Sequence, residues 1–172
     1  MRLPRVSGLL LCGLLAACAT ARQPRVTAEI LGAGATVTTH VRDVAAPHTS
    51  SGHVHEVPAV WTPEFLPGGT AVQARLGTSM GIEVQVKGAP LGSIVTLRTR
   101  VTHPPLTNPA TRRTTTRDEW TTEMNALIPR YAGWAFAEPW ELVPGRWTIE
   151  LLQGDRTIAS QDFEVTVAAD GR

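Results

Sequence analysis

The sequence predicts an all-β domain with the architecture of an immunoglobulin-like antiparallel β-sandwich. Short segments rich in strand-forming residues recur between Ala71 and Val167, and turn residues separate nearly all of them. Several segments alternate apolar and polar residues, which is the pattern of a strand with one buried face. A helical period is hard to place anywhere, and strands do not alternate with helices, so antiparallel sheets packed face to face are favoured.

The predicted strands follow one another at near-regular spacing. Val26–Leu31 is the first, and the others span residues 71–76, 82–87, 93–103, 113–124, 134–139, 147–153 and 157–167. Apolar and polar residues alternate from Val95 to Val101, so one face of that strand should be buried while its arginines face water. The last two strands form the clearest hairpin, because Gly154 and Asp155 supply turn chemistry between them.

The stretch Ala45–Gly69 departs from this pattern. It holds four prolines, ends in a glycine pair and has no lasting period of 2 or 3.6 residues. We therefore predict a long irregular loop that runs over the domain surface. Residues 26–168 would form one domain that includes this loop, and residues 169–172 would be a tail.

The N-terminus has the form of a bacterial lipoprotein signal peptide at residues 1–17. Two arginines precede an apolar run of twelve residues, which suits export but is too short to span a bilayer. Leu15–Cys18 closes this run as a lipobox, which predicts cleavage before Cys18 and lipid attachment to its thiol. Residues 18–25 would then be a tether. An ordinary signal peptide cut after Ala21 is the alternative, because small residues flank that position.

The anchor would hold the protein in the bacterial cell envelope, with Cys18 in the membrane. Ala19 is not the aspartate associated with inner-membrane retention in enteric bacteria, which favours the outer membrane with the domain facing the periplasm. Loss of the signal peptide takes the formal net charge from +1 to about −1, so no basic field would attract nucleic acid. No nucleotide-binding motif occurs either. Because Cys12 leaves with the signal and Cys18 carries lipid, no disulfide is expected.

Residues 140–147 form a distinctive block, Trp-Glu-Leu-Val-Pro-Gly-Arg-Trp, which Gly154 and Phe163 follow. This arrangement resembles the closing block of a bacterial family of exported domains of unknown function. Leu76–Gly81 looks like an earlier strand junction of that family, so the resemblance covers roughly residues 70–167. It implies a small exported β-sandwich and carries no known catalytic residue. The chain before this region lies outside the resemblance.

A hydrolase-like motif occurs at Gly77–Gly81, where G-x-S-x-G would make Ser79 a nucleophile. A nucleophile elbow needs a helix after the serine, but Ile82 and the residues after it continue as a strand. The only downstream histidine, His103, precedes Asp118, which reverses the α/β-hydrolase order. We therefore predict that the two glycines permit a bend or bulge and that the protein is not an enzyme.

Three histidines, His48, His53 and His55, lie within eight residues and are candidate metal ligands. On an extended segment His53 and His55 would share one face, about 7 Å apart, with His40 and Glu56 as further candidates. Neutral imidazole suits zinc and copper, but this spacing matches no recurrent metal motif. Solvated loop histidines are the favoured interpretation, and no cofactor is predicted.

Aromatic and basic side chains offer two more binding hypotheses. Most of the five tryptophans should pack in the core, whereas Trp61 lies in the predicted loop and is the candidate for partner binding. Arginines at positions 98, 100, 112, 113 and 117 could meet phosphate or carboxylate groups. The charged solvent face of a strand explains these arginines more simply.

Two classes of function follow from these observations. The favoured one is a lipid-anchored, non-catalytic interaction or structural module that presents loops or an edge strand to another envelope protein. The alternative is a periplasmic metal or small-ligand binder that uses the histidine-containing loop and Trp61.

Overall fold

Strands make up most of the protein in the computed structural model, which describes residues 24–37, 42–56 and 62–168. The strands are β1 Thr27–Val37, β2 Arg42–Ala45, β3 His53–Glu56, β4 Ala71–Ala74, β5 Thr78–Lys87, β6 Ile94–Thr107, β7 Thr114–Asn125, β8 Arg130–Ala135, β9 Gly145–Gln153 and β10 Arg156–Val167. A 3₁₀ turn at Pro139–Glu141 joins β8 to β9. Within these residues no helix is long and apolar enough to cross a membrane.

The strands form two facing sheets and a separate hairpin. The larger sheet has the order β4-β10-β9-β6-β7, and the smaller one has the order β1-β5-β8. Neighbouring strands are antiparallel except for β4, which runs parallel to β10. The two-stranded hairpin of β2 and β3 is the third unit. The predicted all-β sandwich of antiparallel sheets is confirmed.

The core lies between the two sheets and follows the alternation read from the sequence. Val95, Leu97 and Val101 of β6 are buried, as are Trp147 and Ile149 of β9. They face a second row from β5, which consists of Met80, Ile82, Val84 and Val86. A fully buried aliphatic or aromatic side chain contributes about 1.5–3 kcal/mol to stability. This packing between the two sheets is therefore a major source of the stability of the fold.

Glycine has two different roles in the smaller sheet. Gly77 has a φ of +82° and makes the turn into β5, as the sequence predicts. Gly81 does not form a bend or bulge, because it pairs in register with Gly34 on one side and Gly133 on the other. A Cβ at Gly81 would overlap the Tyr131 ring. The absence of side chains along this row lets an aromatic ring lie against the sheet.

The prediction of irregular chain from residue 45 to 69 is wrong at residue 45 and at residues 53–56, which lie in strands. Ala45 pairs with His53 and Arg42 with Glu56, so β2 and β3 form a hairpin closed by residues 46–52. Strands of four residues are too short to show an alternating pattern, and their turn carries Pro47 and a glycine. The described part of the second half, from residue 62, makes a single bridge to β1.

Candidate functional site

The residues singled out as binding candidates are distributed over separate places. Cys18 and Trp61 lie outside the described residues. His48 is exposed in the hairpin turn, while His53 and His55 stand two positions apart in β3, a strand at a place where the sequence predicts irregular chain. Among the described residues, which exclude the His55 side chain, no group of three His, Cys, Asp or Glu could hold a metal ion.

The serine of the hydrolase-like motif is not at a nucleophile elbow. Ser79 is 3% exposed and lies within β5, which continues for eight residues beyond it. His103 and Asp118 belong to β6 and β7 of the opposite sheet. The strand-turn-helix junction that exposes a nucleophilic serine is therefore missing at this position.

His103 and Asp118 instead belong to a buried polar cluster under the hairpin. The Ser50 hydroxyl donates to Oδ2 of Asp118 at 2.5 Å, and the Ser50 amide donates to Oδ1 at 2.9 Å. Nε2 of His103 lies 3.7 Å from the same Oδ2, and both the His103 and Asp118 side chains are fully buried. A buried carboxylate needs donors such as the Ser50 amide and hydroxyl, because an unpaired buried charge is strongly destabilising.

The position of the His103 ring follows from its other contacts. Nδ1 is 2.8 Å from the Pro104 carbonyl oxygen, and since a carbonyl only accepts, Nδ1 carries the proton. The ring lies 5.0 Å from Trp147 and 5.7 Å from Trp134, centroid to centroid. Nε2 is thereby directed at Asp118. Burial alone would raise the pKa of Asp118, but the nearby His103 ring and the hydrogen bonds from Ser50 outweigh it and lower the pKa.

A second polar side chain fixes the hairpin turn. Nδ2 of Asn108 donates to the Ser50 carbonyl at 2.9 Å, and Oδ1 of Asn108 accepts from the amide of Ala110. Ser50 is therefore bonded through its hydroxyl, amide and carbonyl to side chains of the larger sheet and its β6–β7 turn. These contacts hold the hairpin over the open side of the sandwich, between the edge strands β7 and β8.

An open cleft lies between the hairpin and the sheets. Its empty space is about 300 Å³, including the part open to solvent. The lining residues are Ser51, His53 and Val54 of the hairpin, Trp120 of β7, Gly133, Trp134 and Ala135 of β8, and Glu141 of the 3₁₀ turn. Concave sites with aromatic walls and a few polar groups are the usual form of a binding site.

Glu141 brings a buried carboxyl group to this cleft. It is 2% exposed, and its Oε2 accepts from the amides of Ala137 at 2.8 Å and Glu138 at 2.9 Å. Burial raises the pKa of Glu141 to about 7, although these two hydrogen bonds and the nearby His53 oppose the rise. The charge of the cleft therefore changes near neutral pH.

Trp134 brings a donor that lacks an acceptor in the described part of the chain. The residue is 6% exposed, and its Nε1 is buried with no hydrogen-bond partner there. Nε1 of the adjacent Trp147, by contrast, donates to the Val143 carbonyl at 3.1 Å. A buried tryptophan N–H usually finds a partner, so the Trp134 N–H is an unpaired donor at the wall of the cleft.

The arginine-rich region forms an ion-pair network on the outer face of the larger sheet. Arg98, Arg100 and Arg117 approach Glu119 at 3.4, 2.6 and 3.5 Å. Arg100 also reaches Glu150 at 3.4 Å. These acidic partners reduce the positive field of the three arginines, which supports the interpretation of this region as a charged solvent face.

A family model described as a domain of unknown function (DUF3859) matches residues 28–165. The chain belongs to the DUF3859 family. The match spans the region from β1 to β10, so it includes the β2–β3 hairpin, which the sequence resemblance had left out. The domain-of-unknown-function assignment is confirmed, while the export of the family and the diagnostic value of residues 140–147 stay predictions.

A solved structure supports the fold of this DUF3859 domain. It is the crystal structure of an immunoglobulin-like protein, PA1606, from Pseudomonas aeruginosa at 1.50 Å resolution. The alignment has 23% identity and a TM-score of 0.60, and it covers 84% of this chain and 98% of that chain. The immunoglobulin-like sandwich is thereby confirmed. No curated protein matches the chain.

Proposed function

We propose that this DUF3859 domain is a lipid-anchored, non-catalytic interaction module of the bacterial cell envelope, facing the periplasm from the outer membrane. The lipobox at Leu15–Cys18 supports the anchor and the location. The hairpin, hydrogen-bonded to the larger sheet through Ser50 and with an aromatic cleft beneath it, supports binding of an envelope protein. This fixed hairpin is the observation that carries the proposal, because a pre-formed surface needs little ordering on association.

The arrangement of the buried cluster argues for a structural rather than a catalytic role. In a hydrolytic triad the histidine stands between the serine and the acid. Here Asp118 stands in the middle, because both Ser50 and His103 are directed at its carboxylate. The His103 and Asp118 side chains are fully buried. Asp118 accepts both hydrogen bonds from Ser50 and so ties the hairpin to β7, which supports a structural role for the cluster.

The cleft suggests the chemistry of the partner. Its tryptophan walls favour an apolar or planar group, and the Trp134 N–H needs a hydrogen-bond acceptor. Glu141 adds a carboxyl that accepts a donor when ionised. A protein loop that inserts a carboxamide or an exposed backbone amide would supply both an acceptor and a donor.

Site-specific crosslinking in cells tests this proposal. A photoreactive amino acid at Ser51, beside the cleft, should capture one envelope protein reproducibly, whereas the same group at exposed Thr166 of β10 should not. A Cys18→Ala form should lose the crosslink, because the unanchored domain would be released from its membrane. Equal capture at Ser51 and Thr166 would contradict a specific interface at the cleft.

A second candidate function is binding of a small polar ligand in the same cleft. The unsatisfied Trp134 N–H favours it, since a ligand oxygen would complete that hydrogen bond. Tryptophan fluorescence should change on titration with N-acetylalanine amide, which carries both an acceptor and a donor. Separate titrations with zinc and copper test the metal alternative, for which binding should vanish in the His53→Ala, His55→Ala double variant.

A further inference from the structure

Four large apolar side chains are exposed together at one end of the sandwich. Leu91 is 82% exposed, Ile94 57%, Leu127 58% and Ile128 37%. They belong to the β5–β6 turn, the first residue of β6 and the β7–β8 turn. We call this set the apolar end patch. Clustered exposed apolar residues on a soluble domain mark a site of protein or membrane interaction.

Backbone contacts place the two turns of the apolar end patch side by side. The amide of Ala126 donates to the Ser93 carbonyl at 2.9 Å, and Ile94 pairs with Asn125. Nδ2 of Asn125 also reaches the Gly92 carbonyl at 3.4 Å. The apolar side chains therefore project from one continuous piece of surface.

The chain enters the domain at this same end. Thr27 pairs with Lys87, and a Cβ on Gly88 would lie 3.1 Å from the Arg25 carbonyl, so residue 25 lies against the β5–β6 turn. The Gln153 side chain holds this segment in place. Its Nε2 donates to the Pro24 carbonyl at 2.6 Å, and its Oε1 accepts from the Val26 amide at 3.1 Å. The start of the described chain is thus fastened beside the apolar end patch.

The predicted tether is short, so the end of the domain that bears the apolar end patch would stay close to the membrane. Six peptide links separate Cys18 from Pro24, and they reach at most about 20 Å when fully extended. Acyl chains on Cys18 would lie in the bilayer, so the apolar end patch would stand within a short distance of the headgroups. Exposed Arg25 beside the patch suits contact with lipid phosphates, whereas Lys87 already has Glu29 at 3.5 Å.

We propose that this end of the domain faces the bilayer and that the apolar end patch inserts into the interfacial region of the membrane that holds Cys18. The inference rests on the proposed lipid anchor. It fixes the orientation of the domain, because Asn108, which binds the hairpin turn, follows the far end of the 14-residue strand β6. Such a strand spans at most about 45 Å, less here because its register shifts between Thr102 and Leu106, and the hairpin turn lies at its end away from the membrane.

Fluorescent labelling of the full-length, lipidated protein tests the proposal. The thiol of Cys18 is blocked by lipid, so a single new cysteine takes the label: Leu127→Cys in the patch, or Leu76→Cys as the matched control. Leu76 is 53% exposed and precedes Gly77, which bonds to Phe136 beyond the opposite end of β8. Both variants replace an exposed turn leucine, and circular dichroism checks that each is folded.

In vesicles of phosphatidylethanolamine and phosphatidylglycerol, spin-labelled lipids should quench the Leu127→Cys label about threefold more than the Leu76→Cys label. Equal quenching of the two labels, with emission spectra that show both to be as exposed to water as in buffer, would overturn the inference. The Leu127→Cys label could also be shielded from water in native membranes but not in the lipid vesicles. That result would show that a protein covers the patch, and it would overturn the inference as well.

Flotation of the same samples separates this inference from the anchor. A protein that floats with the vesicles but shows no quenching at Leu127→Cys retains the anchor and contradicts the membrane-facing patch. A protein that does not float, and carries no lipid on Cys18, contradicts the proposed function from which the inference starts.

Discussion

Ser50 and Asp118 lie 68 positions apart in the chain, yet two hydrogen bonds of 2.5 and 2.9 Å join them in the interior. The pair connects the β2–β3 hairpin to an edge strand of the larger sheet. Because the carboxylate is fully buried, each donor that reaches it has a large effect on stability. The hairpin and the cleft beneath it therefore depend on a few polar contacts.

Removal of the Ser50 hydroxyl should destabilise the fold. Ser50→Ala deletes a hydrogen bond to a buried charged acceptor, which is worth about 1.5–3 kcal/mol of unfolding free energy. Urea denaturation measures the change. The matched control is Ser51→Ala, because the Ser51 hydroxyl donates to the His53 carbonyl and does not reach Asp118. Equal losses in the two variants would contradict the assigned role of Ser50.

Acid should weaken the same cluster. The folded pKa of Asp118 lies below its ordinary value of 3.8, so the ionised group contributes stability above that value and the contribution is lost as the pH falls through the folded pKa. Between pH 5 and pH 2 the unfolding free energy of the parent protein should therefore fall more than that of Asp118→Asn. Parallel pH curves for the two proteins would show that Asp118 gives no such linkage.

Glu141 should produce the opposite pH dependence. Its folded pKa of about 7 lies above its ordinary value of 4.5, so its contribution is fully present below 4.5 and is lost as the pH rises towards 7. Urea denaturation of the parent protein should show this decline, and Glu141→Gln should remove it. Exposed Glu64 supplies the control, since Glu64→Gln should leave the decline unchanged.

The parts of the fold that the sequence predicts are those with long alternating strands. β6, β9 and β10 each have nine or more residues, so a period of two is visible and the buried face can be assigned. The β9–β10 turn is also predictable, because Gly154 and Asp155 are typical turn residues. In the structure Gly154 has the positive φ, +60°, that such a turn requires. The β2–β3 hairpin was missed, since four-residue strands around a proline-containing turn resemble a loop.

The candidate site was harder to predict, because its contacts are distant in sequence. Asp118 stands in a run of polar residues, and nothing local distinguishes it from the solvent-facing Arg117 and Glu119 beside it. Glu141 lies in the recognised block at 140–147, but charged side chains are rarely buried, so its place in a cleft was not expected. The tertiary structure alone brings these groups under the hairpin.

Mass spectrometry of the N-terminal peptide of the mature protein is the most direct test of the lipid anchor, on which the proposed function and the membrane orientation both depend. A lipid-anchored protein should give a peptide that begins at Cys18, with a diacylglyceryl thioether and an acylated amino group. A free N-terminus at Arg22, left by cleavage after Ala21, would contradict the lipid anchor.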